Sequence, residues 1–380
     1  MRILVAHHVP RARNGGMSRI MGFIHDRLVA AGHRVDYFCA EDVPRGMNGR
    51  LSRFTFPMLV RRHAVRAARS GEPYDIINIH EPSSAAVSLS RSAAGNPKIV
   101  VTSHGVERRG WQLALEELRL GREGPSLKTR LTAPLTILWQ AKLGLRRADH
   151  IFCLNFEDRD YLMRWLKLSG EKITRIYPGA SQSYAAVAES RSYDKVGQLL
   201  FAGTWLSRKG IKEVVAAFTT LAATHQDLKL CVLGAGMPDE LVLDYFPTDI
   251  RERVSCIRSR NDDETAAVLA RSDIYLLPSL FEGTPLTLIE AMMSGMPVVT
   301  TETCGMKDVI QHNGNGLLVP VRSPETIVAA IESLMEERAL RARLGRQAHL
   351  DALENYTWEH VALSVQKAYE RLVEIDNYRK

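Results

Sequence analysis

No stretch of about 18 uninterrupted apolar residues occurs in this 380-residue chain, so nothing in it reads as a bilayer span. The start, Met1-Arg2-Ile3-Leu4-Val5-Ala6-His7-His8, has one early arginine but neither a sustained apolar core nor a small-residue cleavage site. It reads as a first β-strand and not as a signal peptide. Cysteine is scarce: five residues, odd in number and never close in sequence. Cys39, Cys153, Cys231 and Cys256 sit in runs that read as buried strands, and Cys304 follows one. That usage argues against a disulfide framework or zinc site and points to core thiols in a reducing compartment, hence the cytoplasm. Low-complexity tracts and short-period repeats are missing, which leaves ordinary globular domains. Helix-turn-helix, zinc and RNA-recognition signatures are missing too, which weighs against a nucleic-acid partner despite a pI near 9.2.

What is present is the balance of a folded protein, 45% apolar and 24% charged, in a chain long enough for two cores. The charge is unevenly placed. Residues 1–180 hold 29 Lys and Arg against 16 Asp and Glu, a net +13, and the remainder holds 21 against 27, a net −6. Such asymmetry suggests that the first half meets something anionic.

Short β-branched runs alternate with longer amphipathic ones throughout. Strand candidates in the first half are Arg2–Ala6, Arg34–Phe38, Asp75–Ile79, Lys98–Thr102, His150–Leu154 and Ile173–Tyr177. In the second they are Gln198–Ala202, Leu228–Leu233, Arg253–Ile257, Ile274–Leu277 and Pro297–Thr300. Several are apolar on both faces, as parallel strands covered by helices are, so the fold class is α/β with two doubly wound domains. Pro178-Gly179 and the aperiodic residues after it mark a linker over 178–196 between domains at 1–177 and 197–357. Asn261 three residues before Glu264 and Ser323 before Pro324 are helix starts. A closing helix over 358–380 is expected to pack back on the first domain.

Four segments carry candidate chemistry. Phe281-Glu282-Gly283-Thr284-Pro285-Leu286-Thr287-Leu288-Ile289-Glu290 follows a buried strand, and Pro285 suits a first helical turn. Gly283 and Thr284 then lie at a helix N-terminus, an anion site fit for a pyrophosphate, with Glu290 placed to accept hydrogen bonds from sugar hydroxyls. The alternative is a capped helix with Glu282 favouring the dipole and Glu290 solvated. Gly203-Thr204-Trp205-Leu206-Ser207-Arg208-Lys209-Gly210 lies at the carboxyl end of a strand, where ligands of open α/β sheets bind. Arg208 and Lys209 suit a diphosphate leaving group, or else form a solvated basic turn. Asn14-Gly15-Gly16 allows close backbone approach to a phosphate, or an ordinary turn. His104, after Thr102-Ser103, sits at another carboxyl edge; His80-Glu81 ends a further strand and lines an acceptor side or is structural.

The stretch Pro278–Thr300 closely resembles the C-terminal signature of family 4 glycosyltransferases, including Glu-x7-Glu at Glu282 and Glu290. The resemblance runs on through Gly305-Met306-Lys307-Asp308-Val309-Ile310, Asn315-Gly316-Leu317-Leu318-Val319-Pro320 and Tyr356-Thr357-Trp358. It implies the GT-B fold, two Rossmann-like domains facing across a cleft, with a nucleotide-sugar donor on the second and retention of configuration. It further implies that Glu290 binds the donor ribose, that Glu282 lies by the transferred sugar, and that backbone amides over Thr284–Thr287 hold the phosphates. The Gly15-Gly16 loop would face those phosphates, and His104 would lie beside the sugar. The family commonly has Gly-Arg where this chain has Gly203-Thr204, so the clamp of Arg208 and Lys209 is one cation short.

No metal or other cofactor is expected. Asp158-Arg159-Asp160 mimics the Asp-x-Asp of metal-dependent transferases of another fold but reads as a helix start. The acceptor is a polysaccharide, a lipid-linked sugar or a small glycoside. Rival readings are a GT-B epimerase or phosphorylase, a basic nucleic-acid-binding module, and a non-catalytic sugar-nucleotide-binding partner protein. Seven arginines without an acid (Arg45, Arg50, Arg53, Arg61, Arg62, Arg66, Arg69) and the basic stretch around Leu135, Ile137, Leu138 and Trp139 fit an anionic membrane surface. Equally, both are helix faces packed on the first sheet.

Overall fold

The computed structural model describes residues 1–11, 16–44, 47, 52–258 and 261–377. The chain divides into two units, Met1–Tyr177 with Glu359–Lys380 and Pro178–Trp358.

In the first unit six strands form one parallel sheet: β1 (Arg2–Ala6), β2 (Arg34–Phe38), β3 (Ile76–His80), β4 (Lys98–Thr102), β5 (His150–Cys153) and β6 (Ile173–Arg175). Their order is β2-β1-β3-β4-β5-β6, so the winding reverses between β1 and β3. The connections carry helices α1 (Gly16–Ala30), α2 (Ser52–Arg69), α3 (Ala85–Leu89), α4 (Glu107–Arg119), α5 (Leu127–Thr132), α6 (Ile137–Arg147) and α7 (Phe156–Leu166). Ile-Ile-Asn-Ile-His in β3 is buried at every position, because helices cover both faces of a central parallel strand. Phe56, Val60 and Ala64 of α2 pack with Leu4, Ile77 and Ile79. Leu145 of α6 and Leu162 of α7 pack with Val101 and Ile151. The arginines of α2 thus ride on a helix whose apolar side is core; Arg45 and Arg50 lie outside the described residues.

The second unit repeats the plan with β7 (Gln198–Ala202), β8 (Lys229–Leu233), β9 (Val254–Ile257), β10 (Ile274–Leu277), β11 (Val298–Thr301) and β12 (Leu317–Val319), ordered β12-β11-β10-β7-β8-β9. The reversal falls between β7 and β10. Helices here are α8 (Gln182–Glu189), α9 (Ile211–Thr224), α10 (Asp239–Leu243), α11 (Asp262–Ala270), α12 (Leu286–Met293), α13 (Cys304–Val309), α14 (Pro324–Glu336) and α15 (Arg338–Asn355). The closing helix, α16, spans Trp358–Asn377.

The segment 178–196 is more than a linker. It contains α8, whose Tyr184 is fully buried. Beyond it the Arg191 guanidinium donates to the carbonyls of Ser294, Ser272 and Leu269 at 2.7–2.8 Å, capping the ends of α11 and α12. Gly179 leaves no room for a side chain, since a Cβ there would lie 2.4 Å from the Trp358 nitrogen. Ala180 N–H donates to the Tyr356 carbonyl at 2.9 Å, which holds the two chain crossings side by side. Asn261 caps α11 by accepting from Glu264 N–H at 2.9 Å, and Pro324 opens α14 although the Ser323 hydroxyl makes no cap bond. All five cysteines are free; Cys39 falls one residue beyond β2 instead of within it. Among the described residues no helix is long and apolar enough to cross a membrane.

Tyr369 of α16 is fully buried in the first unit, where Asn78 Nδ2 donates to its hydroxyl at 2.6 Å and Thr102 donates to Asn78 Oδ1 at 2.8 Å. Tyr369→Phe strands a buried amide donor and should lower unfolding free energy by about 1–3 kcal/mol. Denaturant titration checks this; an unchanged midpoint would show that the bond contributes nothing net.

Candidate active site

The loops after β7 and β10 leave adjacent strands at the point where the winding of the second sheet reverses, the place where open α/β sheets bind ligands. After β7 the chain turns through Gly203 at φ 144°, a conformation that favours glycine. It then enters a 3₁₀ turn, Ser207–Lys209, closed by Gly210 at φ 72°. A Cβ on Gly210 would lie 2.0 Å from the Pro278 carbonyl, and the Arg208 carbonyl accepts from Leu280 N–H at 2.8 Å. The two loops are therefore stitched backbone to backbone.

That stitching brings three sequence-predicted residues together. Lys209 Nζ lies 2.8 Å from Glu282 Oε1, and Arg208 Nη1 donates to the same oxygen. The Lys209 and Glu282 side chains are only 9% and 11% exposed, Arg208 43%. Burial pushes the Glu282 carboxyl up, but Lys209 and then Arg208 outweigh it and hold it below the usual range. Two cations share one carboxylate, so the cluster keeps a net positive charge that a diphosphate would complete. Thr204 adds no cation; its methyl lies 2.7 Å from where a Cβ on Gly236 would stand.

Beyond Glu282, α12 begins at Leu286 and Pro285 is its N-cap, one position earlier than the first-turn placement read from the sequence. Gly283 and Thr284 are buried just before that helix start, where the dipole is positive. Thr287 fixes the helix to the sheet: its hydroxyl donates to the Ala202 carbonyl at 3.1 Å and pairs with the Tyr275 hydroxyl at 2.7 Å. Glu290, two turns further on than Gly283, is 2% exposed. Sequence reasoning gave Gly305 no role, although it stands in the stretch that carries the resemblance. Its N–H donates to the Gly283 carbonyl at 2.8 Å, and a Cβ there would meet that oxygen at 2.0 Å and Thr284 Oγ1 at 2.3 Å.

In the first unit, β1, β3 and β4 end side by side in three imidazoles. His104 Nε2 and His80 Nδ1 share a hydrogen bond at 3.2 Å, and the His7 and His80 rings are 5.4 Å apart. His7, a residue without a role in the sequence reading, follows β1 directly, at the same edge as His104. Its Nδ1 donates to the Val9 carbonyl at 2.9 Å. Burial lowers all three, His104 to about 4, so the edge is neutral near pH 7. Gly16 opens α1, and Asn14 and Gly15 lie outside the described residues. Asp158 is a first-turn acid of α7, as read, but it is fully buried and bound 2.7 Å from Arg109. Among the described residues no group of three or more His, Cys, Asp or Glu is placed to hold a metal ion.

Residues 14–183 match the family described as Glycosyltransferase Family 4, and residues 185–351 that described as Glycosyl transferases group 1. The chain is 26% identical over 183 residues to an uncharacterized glycosyltransferase of Methanocaldococcus jannaschii, a match spanning about half of each (48% of this chain, 47% of the relative). It is 25% identical over 334 residues to the phosphatidyl-myo-inositol mannosyltransferase of Mycolicibacterium smegmatis, covering 86% of this chain and 79% of that one. Among solved structures, sucrose-phosphate synthase from Thermosynechococcus elongatus superposes with TM-score 0.78 at 22% identity, over 99% and 100% of the two chains. The Anabaena protein HepE in complex with UDP-glucose gives 0.68 at 15% identity, over 98% and 100%.

Glu81 supplies a pH test of the first unit's edge. It is 7% exposed, accepts from the Ser103 hydroxyl at 2.6 Å, and is pushed up to about 8, by burial first and by Glu107 second. A carboxyl raised in the folded state contributes stability that is full below its unfolded value of 4.5 and is lost as pH rises towards 8. Glu81→Gln should therefore gain on the wild type across that window, by at most ~1.4 kcal/mol for each step of one in pH. Melting temperatures of both proteins from pH 4.5 to 8 check this; a constant offset would remove Glu81 as the titrating group.

Proposed function

The chain belongs to glycosyltransferase family 4 and has the GT-B fold, and from that premise we propose that it moves a sugar from a nucleotide-sugar donor to an acceptor hydroxyl with retention of anomeric configuration. The observation that carries the proposal is the Lys209–Glu282–Arg208 cluster where the second sheet reverses its winding. The nucleotide-sugar donor is supported by the structural neighbours whose complexes hold UDP-glucose or ADP.

In this reading Arg208 and Lys209 bind the diphosphate, with Gly203, Gly283 and the Thr284–Thr287 backbone at the start of α12. Glu290 accepts hydrogen bonds from the ribose hydroxyls. The resemblance assigns Glu282 and His104 to the transferred sugar, and Gly15-Gly16 to the donor phosphates. The acceptor oxygen forms its bond to the anomeric carbon on the face from which the diphosphate leaves. The departing phosphate oxygen takes the acceptor's proton, and the nucleoside diphosphate is released. Negative charge grows on that oxygen as the old bond breaks, so fixed cations lower the barrier more than they stabilise the bound donor. No metal has a part in this scheme. The acceptor is a polysaccharide, lipid-linked sugar or small glycoside, and the first unit's positive charge fits an anionic one or a membrane surface.

A thermal-shift series with UDP-, GDP- and ADP-sugars should single out one base, because a ligand that binds only the folded state raises its melting temperature. Lys209→Ala should abolish release of nucleoside diphosphate while the protein remains folded by circular dichroism; near-wild-type turnover would take Lys209 out of the site. Donor binding without any release, whatever acceptor extract is supplied, would instead favour a non-catalytic sugar-nucleotide-binding protein.

Glu290→Ala should weaken donor binding through loss of charge-assisted hydrogen bonds of ~1.5–3 kcal/mol each. Calorimetry with the nucleoside diphosphate alone reads this directly. Unchanged affinity there would refute the ribose assignment.

A further inference from the structure

The segment α5–α6 carries an exposed apolar ridge. Leu127, Leu131, Leu135 and Trp139 recur every fourth residue and are 64%, 67%, 79% and 53% exposed. Helix α5 closes with Ala133 N–H donating to the Thr129 carbonyl at 2.9 Å, and α6 opens with Gln140 N–H donating to the Thr136 carbonyl at 2.9 Å; between them the chain turns through 133–136, where Thr136 (φ −121°, ψ −93°) leaves helical geometry. Leu127 and Leu131, four apart on α5, share one face of that helix, and Leu135 in the turn and Trp139 on α6 are exposed as well. The reading of Leu135 and Trp139 as core does not hold; Thr136, Ile137 and Leu138 between them are half-buried. A helix normally turns its large apolar side chains inward, so three exposed leucines and a tryptophan on one short segment mark a binding face.

Its surroundings define the partner's charge. Between Gly124 and Ala148 stand Lys128, Arg130, Lys142, Arg146 and Arg147 and no acid. All five are exposed, and none of their side chains forms an ion pair among the described residues. Beside the ridge a groove of about 780 Å³ is lined by Trp111, Trp139 and Trp165, whose rings suit the boundary between headgroups and acyl chains, and its charged lining is Arg108, Arg119 and Lys142 against one acid, Glu116. By contrast, α2 is also rich in arginine, but Arg61 is held 2.8 Å from Ser90 Oγ and the inner side of that helix is core.

We propose that the α5–α6 face docks on an anionic lipid bilayer, with Leu127, Leu131, Leu135 and Trp139 entering the interfacial layer and the five flanking cations meeting lipid phosphates. A ridge of leucine and tryptophan with cations alongside is the composition of helices that lie in a membrane interface. Several cations close to an anionic surface add together, which allows reversible binding without a membrane span. The proposal is independent of the transfer reaction: donor-induced stabilisation reads one and vesicle binding the other.

Co-sedimentation of the full chain with vesicles tests it. The protein should pellet with phosphatidylglycerol–phosphatidylcholine vesicles, remain in solution with phosphatidylcholine alone, and bind more weakly at high salt. Leu131→Ser with Leu135→Ser should weaken binding at least tenfold, and so should Lys142→Glu with Arg146→Glu. These are exposed positions, and circular dichroism checks that each variant is folded. Equal recovery with both vesicle types would overturn the proposal. So would unchanged binding of the leucine variant, or self-association that the leucine variant abolishes in the absence of vesicle binding, which would give the ridge to a second copy of the chain.

Discussion

A nearly buried carboxylate must find its counter-charge within the protein, and Glu282 finds two. Taking that group out of water costs several kcal/mol, which only close cations return. Lys209 Nζ at 2.8 Å and the Arg208 guanidinium do so, and both come from the loop after β7, while Glu282 comes from the loop after β10. The ion cluster thus requires those loops to be neighbours, and the strand order makes them so. Around it the backbone is drawn in tightly enough that Gly210 and Gly305 have no room for a Cβ against Pro278 and Gly283. Thr287 closes the arrangement by tying α12 to the end of β7. An anion arriving at this place would meet two cations already held in position by Glu282, with little reorganisation left to make.

The carboxyl edge of the first sheet is built from different chemistry. His7, His80 and His104 are packed at hydrogen-bonding and ring-contact distances that three imidazolium ions could not tolerate, and burial keeps them neutral. Neutral imidazoles donate and accept hydrogen bonds without bringing charge, which suits hydroxyl groups better than phosphates. At the ends of two of the same strands, β3 and β4, Ser103 donates to Glu81, whose proton is retained for the same reason. Two doubly wound parallel sheets therefore present a charged edge and a neutral one.

Much of this was legible in the chain. Runs such as Lys-Ile-Val-Val-Thr and Gln-Leu-Leu-Phe-Ala coincide with β4 and β7 residue for residue, because a strand covered on both faces leaves an uninterrupted apolar signature. Glu282, Arg208 and Lys209 were legible as candidates from their place at strand ends, but not their mutual bond, which depends on strand order. The helix inside 178–196 was hidden because Ser, Ala and Gln make no apolar period; one tyrosine, Tyr184, carries the packing. The imidazole contacts were hidden for a similar reason, since 73 residues separate His7 from His80 and only the sheet makes them neighbours.

Net charge was the coarsest of these signals, and the structure divides it into two populations. Some of the first unit's arginines are neutralised where they stand: Arg2 by Asp36 at 2.9 Å, Arg91 by Asp149 at 2.9 Å, and Arg109 by Asp158 at 2.7 Å. These hold strands and helices together and contribute little field at a distance, because each is matched by a carboxylate at hydrogen-bonding distance. The cations of α5 and α6 have no acid within the same stretch of chain, and they flank leucines that face outward. A solvated basic face needs no leucines, and a core face needs no unmatched cations. The coincidence of both on one short segment is what separates it from the other basic helices of the unit, and it arises from a choice of side chains every fourth residue that the fold itself does not require.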